Sequence, residues 1–294
     1  MSAFGLLNIN KPAGPTSHDI VAGVRRGTRV KKVGHAGTLD PMATGVLVVC
    51  LGAATRLSQY AMGSRKTYLA RVRFGIETDT YDAGGIITAE NDAPLGREAI
   101  EAALDAFRGD IEQVPPMYSA IKQGGQKLYE LARAGQDVER AARPVTIHNL
   151  ELITWEPPCA ALRVECSAGT YIRSLAFDLG RAVGVGAHLA ALERAASGPF
   201  TVEDAVTWDD LQAAMAAGTW REYLLPPDMA LAHYPRLDLT ADEAEDIRHG
   251  RLIPADTERE FAGDLARAYD PEGRFFAIVE QRGIRWKAHK VLSS

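Results

Sequence analysis

The chain is 294 residues long, 46% hydrophobic and 24% charged. That usage excludes a wholly disordered, collagen-like or disulfide-scaffold protein, and the length predicts about two domains. The net charge of −5 argues on its face against a polyanionic partner. It is unevenly spread, however: residues 1–74 carry eleven bases and two acids, net +9, and the other 220 residues net −14. Such asymmetry points to a nucleic-acid or membrane surface, or to arginines scattered over solvated faces.

Phe4–Asn10 predicts a short strand. Thr16 or Ser17 can cap a helix with Ile20, Val21 and Val24 on one face. Lys31–Thr44 is Gly-rich and polar and reads as a loop, and Gly45–Leu51 as a buried β-branched strand. Ala54–Met62 has helical spacing. Thr67–Gly75 alternates into a strand with one basic face, and Arg97–Phe107 carries a helical stripe. Val114–Val145, broken by Pro115-Pro116 and Gly124-Gly125, reads as an exposed insertion with Lys122, Lys127, Arg133, Arg140 and Arg143 beside Glu130, Asp137 and Glu139. Strands follow over Val145–Trp155 and Ala160–Ser167, then a helix over Thr170–Val183 capped by Thr170 or Gly169, and a short strand over His188–Glu193. Thr207 caps a helix to Ala217. A boundary is expected between Pro226-Pro227 and Pro235. Beyond it lie a helix (Ala241–His249) and strands (Ala266–Tyr269, Phe275–Glu280, Ile284–Lys290). Strands and helices without a βαβ repeat predict an α+β class.

Cys50, Cys159 and Cys166 have no regular spacing, so reduced, buried thiols and an intracellular protein are expected. No signal peptide is read at the N-terminus. The longest strongly apolar run, Val46–Leu51, is far short of the ~20 residues of a membrane helix. A cytoplasmic protein is expected, as a monomer with no obligate protein partner. No P-loop, zinc spacing or nucleophile elbow is present, and Ala182-Val-Gly184-Val-Gly186 follows a helix and lacks the third glycine of a dinucleotide site. Asp79–Glu90 has the ends of a calcium loop, but Tyr81 and Ala83 occupy ligand positions.

What remains is Gly34-His35-Ala36-Gly37-Thr38-Leu39-Asp40-Pro41. Asp40 is one of two acids among eleven bases. Neighbouring cations are expected to hold it ionised and lower its pKa, which suits a nucleophile or acceptor. The alternative is an Asp-Pro turn that only closes a loop.

These residues, with Asn10-Lys11-Pro12, Gly14, Thr16, Ser17, Ala43-Thr44-Gly45-Val46-Leu47, Lys66, Tyr68, Thr78-Asp79-Thr80, Asp82, Pro115-Pro116, Tyr118-Ser119-Ala120, Lys122, Gly169-Thr170-Tyr171-Ile172-Arg173, His188-Leu189, Leu192 and Arg194, resemble in order the TruB family of bacterial tRNA pseudouridine-55 synthases. The matches span roughly residues 4–205, and the last 60 residues resemble more weakly a small RNA-binding PUA-type domain. The resemblance implies a mixed, largely antiparallel central sheet with flanking helices, in a catalytic domain over 1–230. Residues 115–145 would clamp the tRNA T arm and residues 234–294 would form a β-rich PUA-like domain. It implies no metal and no cofactor. It makes Asp40 the nucleophile and Arg173 its partner. Tyr68 would contact a flipped base, Tyr171 and Leu192 would line the uridine pocket, and His35 would sit where the target nucleotide is held out. Taken singly, Tyr68, Tyr171 and Leu192 also fit an ordinary core, Arg173 a surface ion pair and His35 a turn. A tRNA-folding chaperone is the alternative function.

Overall fold

The computed structural model describes residues 3–119, 121–133, 135–136, 138–255 and 264–292. Ala120 and Asp137, and the side chains of Lys122, Lys127, Glu130 and Arg133, lie outside the described residues, and with them the charge reading of the insertion.

The chain begins with strand β1 (Gly5–Lys11), helix α1 (Ser17–Thr28), β2 (Val33–His35), β3 (Thr44–Leu51) and α2 (Ser58–Met62). Next come β4 (Lys66–Phe74), a hairpin of β5 (Ile76–Thr78) and β6 (Ile87–Glu90), α3 (Arg97–Leu104) and β7 (Gly109–Gln113). The following segment holds a small hairpin, β8 (Lys122–Gln123) and β9 (Gln126–Lys127), and α4 (Leu128–Arg133). After it come β10 (Arg143–Glu156), β11 (Cys159–Cys166), α5 (Ile172–Ala182), β12 (Ala187–Ser197), β13 (Phe200–Thr201), β14 (Val206–Thr207) and α6 (Trp208–Ala217). The remainder is β15 (Arg236–Asp238), α7 (Ala241–Arg248), β16 (Ile253–Pro254), β17 (Leu265–Tyr269), β18 (Phe275–Arg282) and β19 (Arg285–Val291).

Ten strands form one sheet in the order β14-β1-β3-β12-β4-β11-β10-β7, with β2 on β3 and β13 on β12. Pairing is antiparallel except at β1–β14 and β3–β12. This is the mixed, largely antiparallel α+β architecture expected from the sequence. Strand β4 alternates as predicted: Tyr68, Ala70, Val72 and Phe74 are buried, and Leu69, Arg71 and Arg73 face solvent. The inner residues pack against Ile172, Leu175 and Leu179 of α5 and Ile20 and Val24 of α1 in one core. Each fully buried Leu or Ile there contributes roughly 1.5–3 kcal/mol.

At the parallel β3–β12 seam Arg194 lies opposite Gly45, whose φ is +94°. A Cβ at position 45 would stand 2.4 Å from the Arg194 carbonyl oxygen, so only glycine lets these strands meet.

Several local expectations are corrected. The capping choice at α1 resolves to Thr16, whose side chain accepts from the Asp19 N–H in a capping box, worth about 1 kcal/mol. Ser17 is buried instead and serves another segment. Helix α5 is not capped by Thr170 or Gly169: it starts after Tyr171 without a side-chain cap, and Thr170 donates to the Ser167 carbonyl. The Lys31–Thr44 loop contains a short strand, because Val33 to His35 pair with the long buried β3. The 97–107 helix ends at Leu104 and continues as a 3-10 turn over Asp105–Phe107. Strand β12 runs past Glu193 to Ser197 through two irregularities in its pairing with β4. Cys159 is only half-buried, while Cys50 and Cys166 are buried.

A second, five-stranded sheet (β15-β17-β18-β19-β16) has its own core around Trp286, Ile247 and Val279. It docks on the 52–62 segment after β3 through Leu57, Tyr60, Leu231, Ile278 and Leu292. Arg56 donates to the Val291 carbonyl and Lys290 to that of Arg56, with the Lys290 ammonium 5.0 Å over the Tyr60 ring. Among the described residues no helix is long and apolar enough to cross a membrane.

Candidate active site

Asp40 sits in the loop between β2 and β3, and buried cations hold the carbonyls of that loop. Lys11, at the end of β1 and wholly buried, donates through Nζ to the carbonyls of Pro12 (2.8 Å), Pro41 (3.2 Å) and Ala43 (2.8 Å). Arg194 on β12 is equally buried and donates to the carbonyls of Val46 (2.7 Å), Gly37 (3.1 Å) and Thr38 (3.4 Å). The Ser17 hydroxyl donates to the Leu39 carbonyl and accepts from the Leu39 N–H. Gly14 N–H adds a bond to the Pro41 carbonyl. The residues on both sides of Asp40 are therefore fixed from β1, α1 and β12 at once. Unmade, each such buried polar group costs about 1–3 kcal/mol.

The carboxylate itself is held by Arg173, in the first turn of α5. Arg173 Nε lies 2.9 Å from Asp40 Oδ2 and Nη2 lies 3.2 Å from Oδ1, a two-point fork. The guanidinium is 6% exposed and the Asp40 side chain 34%, so the pair is seated in protein while the carboxylate keeps a mouth. The rest of the fork is occupied too: Nη2 donates to the Tyr118 carbonyl (2.8 Å), and Nη1 to the Thr80 carbonyl (3.2 Å), with Asp82 Oδ2 at 3.4 Å.

The cationic neighbourhood does not lower the Asp40 pKa as the charge count suggested. Burial pushes the carboxyl above its ordinary value; Arg173 pulls down by less, and Asp82 adds to the rise. The charge count failed because desolvation acts on the carboxylate directly and outweighs the pull of Lys11, whose ammonium is bonded to carbonyls. Lys11 is pushed by burial down to about 8, against a smaller upward pull from Asp40.

Tyr68 on β4 is buried opposite Arg194 and Val164. Burial raises its pKa, and the Asp40 charge adds to the rise. Tyr171 exchanges two backbone bonds with the Gln113 amide, at 2.7 and 3.0 Å. Burial raises its phenol too, with opposing contributions from Arg173 and Asp40. Leu192 is buried on β12 beside Ala70, in the same core as Tyr68 and Leu39. His35 lies at the end of β2. Its pKa is lowered by burial and then by Arg194, and its Nδ1 is buried without a hydrogen bond among the described residues. The structure thus pairs Asp40 with Arg173, puts Tyr68 and Tyr171 each within electrostatic reach of Asp40, and buries Leu192 in the core that holds Tyr68.

Three residues of this constellation, Lys11, Asp82 and Arg194, had no role assigned from the sequence, and Ser17 only that of a helix cap. Each lay within a quoted motif. The signal that could have found Arg194 is a charge within an apolar strand, which marks a buried cation with obligatory partners, but the strand was expected to end at Glu193. Among the described residues no group of three or more His, Cys, Asp or Glu is arranged to hold a metal ion.

Comparison with known proteins places this geometry. Residues 25–172 match the model of the TruB family pseudouridylate synthase N-terminal domain, and residues 173–232 that of the tRNA pseudouridylate synthase B C-terminal domain. Residues 234–293 match the tRNA pseudouridine synthase II C-terminal model. The chain is 47% identical over 282 residues to tRNA pseudouridine synthase B of Pseudomonas aeruginosa, covering 95% of this chain and 92% of that one. It is 49% identical over 257 residues to the protein of that name from Geobacillus kaustophilus, covering 85% and 90%. Among solved structures, a Cbf5-Nop10-Gar1 complex superposes with a TM-score of 0.77 at 29% identity, covering 99% of this chain and 85% of that one. An H/ACA RNP bound to a substrate RNA containing 2'-deoxyuridine superposes with a TM-score of 0.75 at 27% identity, covering 99% and 86%. By family models that together match most of its length, and by relatives near half identity over nearly all of it, the chain belongs to the TruB family of pseudouridylate synthases and is an isomerase.

Proposed function

We propose that this protein converts uridine 55 in the T loop of tRNA to pseudouridine, with Asp40 as the nucleophile acting on a base turned out of its stack. One observation carries this reading: a carboxylate with an open mouth is held at two points by Arg173, in a loop whose carbonyls are fixed by Lys11 and Arg194. A turn that merely closes a loop needs no such support. The names of the relatives, each a tRNA pseudouridine synthase B, supply the substrate class.

The reaction breaks the N1–C1′ bond, turns the uracil, forms C5–C1′ and moves the C5 proton. It is redox-neutral and transfers nothing to or from a second molecule, so this reading assigns no metal and no cofactor. Asp40 can begin it by attack on the sugar, by attack on the base or by proton abstraction; each route needs the carboxylate ionised and fixed. Drawing the base out costs a few kcal/mol. Stacking on Tyr68 offsets about 1–3 kcal/mol of it. In this reading Tyr171 and Leu192 wall the uracil and His35 sits where the target nucleotide is held out of the T loop. Residues 115–145 clamp the T arm, and residues 234–294, a PUA-like unit beyond the 1–230 catalytic domain, bind RNA. The protein acts on tRNA as a monomer without a partner protein.

The test is pseudouridine mapping of T-arm RNA incubated with the purified protein. Wild type is expected to modify position 55, and Asp40→Asn is expected to abolish modification while binding the T arm with near-normal affinity. Full activity of Asp40→Asn would overturn the mechanism. Binding without modification by wild type would favour the chaperone reading, and free uracil or cut strands a hydrolase.

A further inference from the structure

The Arg173 fork is held by a turn with an unusual backbone. Tyr81 has φ +62°, in the left-handed region, where an aromatic residue is strained and glycine is not. Its neighbours on either side hold one and the same nitrogen: the Thr80 carbonyl accepts from Arg173 Nη1 at 3.2 Å, and Asp82 Oδ2 lies 3.4 Å from it. Reversing φ at position 81 would rotate the peptide planes between them and carry one of the two away from the guanidinium.

The Tyr81 side chain supplies what glycine cannot. Its ring stacks on Phe177 with centroids 3.9 Å apart and planes 16° from parallel. Phe177 is one helical turn beyond Arg173 on α5, hence on the same face of the helix. The Arg181 guanidinium covers the same ring at 4.3 Å. Among the described residues the turn is tied elsewhere by backbone and short side-chain bonds, among them Leu189 N–H to the Tyr81 carbonyl, Ala83 N–H to that of Leu189, and Thr80 Oγ1 to Asp82 Oδ1. Among the described residues the stack is thus the contact, besides those on Arg173 itself, that joins the 80–82 turn to the helix bearing Arg173.

The geometry points to Tyr81 as a positioning residue for the isomerisation: its ring, clamped on Phe177, keeps the left-handed turn in register so that Thr80 and Asp82 hold Arg173 square to the Asp40 carboxylate. The assignment rests on the reading of Asp40 and Arg173 given above. It assigns Tyr81 no contact with RNA and gives its hydroxyl no part.

The experiment uses the full chain with T-arm RNA and compares Tyr81→Gly, Tyr81→Asn and Tyr81→Phe. Glycine and asparagine accept the left-handed backbone but lack the ring, so a rate loss cannot be ascribed to added strain, and Asn serves if Gly fails to fold. The single-turnover rate is expected to fall about tenfold or more in Tyr81→Gly and Tyr81→Asn, with the dissociation constant for RNA within about twofold of wild type. Tyr81→Phe is expected to retain the wild-type rate. A wild-type rate in both ring-less variants overturns the proposal, as does a loss confined to RNA affinity or an equal loss in Tyr81→Phe. Crystal structures of the variants check the clamp without reference to activity. Arg173 Nη1 is expected to lose Thr80 or Asp82 in the ring-less pair alone, and retention of both contacts there overturns the clamp even if the modified position proves to be another uridine.

Discussion

The Lys11 ammonium donates to the carbonyl of Pro41, the residue directly after Asp40, at 3.2 Å, and among the described residues no carboxylate ion-pairs with it. It is a structural cation whose partners are all carbonyls. Lys11→Met takes a donor from three carbonyls, of which that of Pro41 keeps the Gly14 N–H, and is expected to cost about 2–3 kcal/mol. The folded-state pKa of Lys11 is about 8, below the ordinary 10.5, so between these values the unfolded chain binds the proton and the folded chain does not. Wild-type stability therefore gains from this residue as pH rises from about 8 toward 10.5. Urea unfolding of wild type and Lys11→Met at pH 7.5 and pH 9.5 is expected to show their difference widening at the higher pH.

Asp82 both holds Arg173 and repels Asp40. Its negative charge is one reason the Asp40 carboxyl stands above its ordinary value. Asp82→Asn removes that push, so the acid limb of the pH–rate profile is expected to move to lower pH. The plateau rate is expected to fall about tenfold or more, since the guanidinium loses a charge-assisted contact of about 1.5 kcal/mol. Single-turnover rates across the acid range separate the two effects.

Arg173→Lys keeps the charge and loses the fork. A lysine cannot span both Asp40 oxygens and still reach Thr80, Tyr118 and Asp82. Breaking a buried pair of this kind costs about 3–5 kcal/mol. A loss of that size at the transition state is a rate loss of about 100-fold or more, expected in pseudouridine formation from pre-bound RNA.

Arg26, Lys31 and Lys32 are exposed, and among the described residues none forms an ion pair. They lie on α1 and the turn that feeds β2 and the Asp40 loop. If they touch phosphates, each substitution to Gln lowers the slope of log affinity against log salt by about 0.7–0.9. The saturated rate is expected to stay unchanged. Affinities from 50 to 300 mM salt supply the check, and an unaltered slope in the triple variant would place the RNA elsewhere.

Much of this was legible in the residues. The alternation of Tyr68, Ala70 and Val72 against Leu69, Arg71 and Arg73 names both the strand and its buried face, because a pleat has a period of two. The Asp40 loop announced itself through two glycines and an acid in a basic stretch. What stayed hidden is what long-range pairing decides. Strand β2 is three residues whose strand character comes from β3, and no local pattern specifies it. Ser17 resembles a cap by type, yet its hydroxyl is committed to Leu39, twenty-two residues on. The direction of the Asp40 pKa was hidden for the same reason: charges can be counted along a chain, whereas desolvation exists only once the chain has closed.

The order of strands in the large sheet has a consequence for the timing of synthesis. Asp40 and Arg173 are separated by 133 residues, and Arg194 comes later still. At about 5–20 residues per second, a growing chain exposes the carboxylate roughly 7 to 27 s before Arg173 is made. The first strand waits longer, since Leu6 pairs with Leu225 and β1 with β14. The part of the chain matched by the N-terminal family model ends at residue 172, one residue short of Arg173. A nascent or truncated chain of that length has Asp40 and Tyr68 but not the two arginines that hold their surroundings, so the site is completed only late in synthesis.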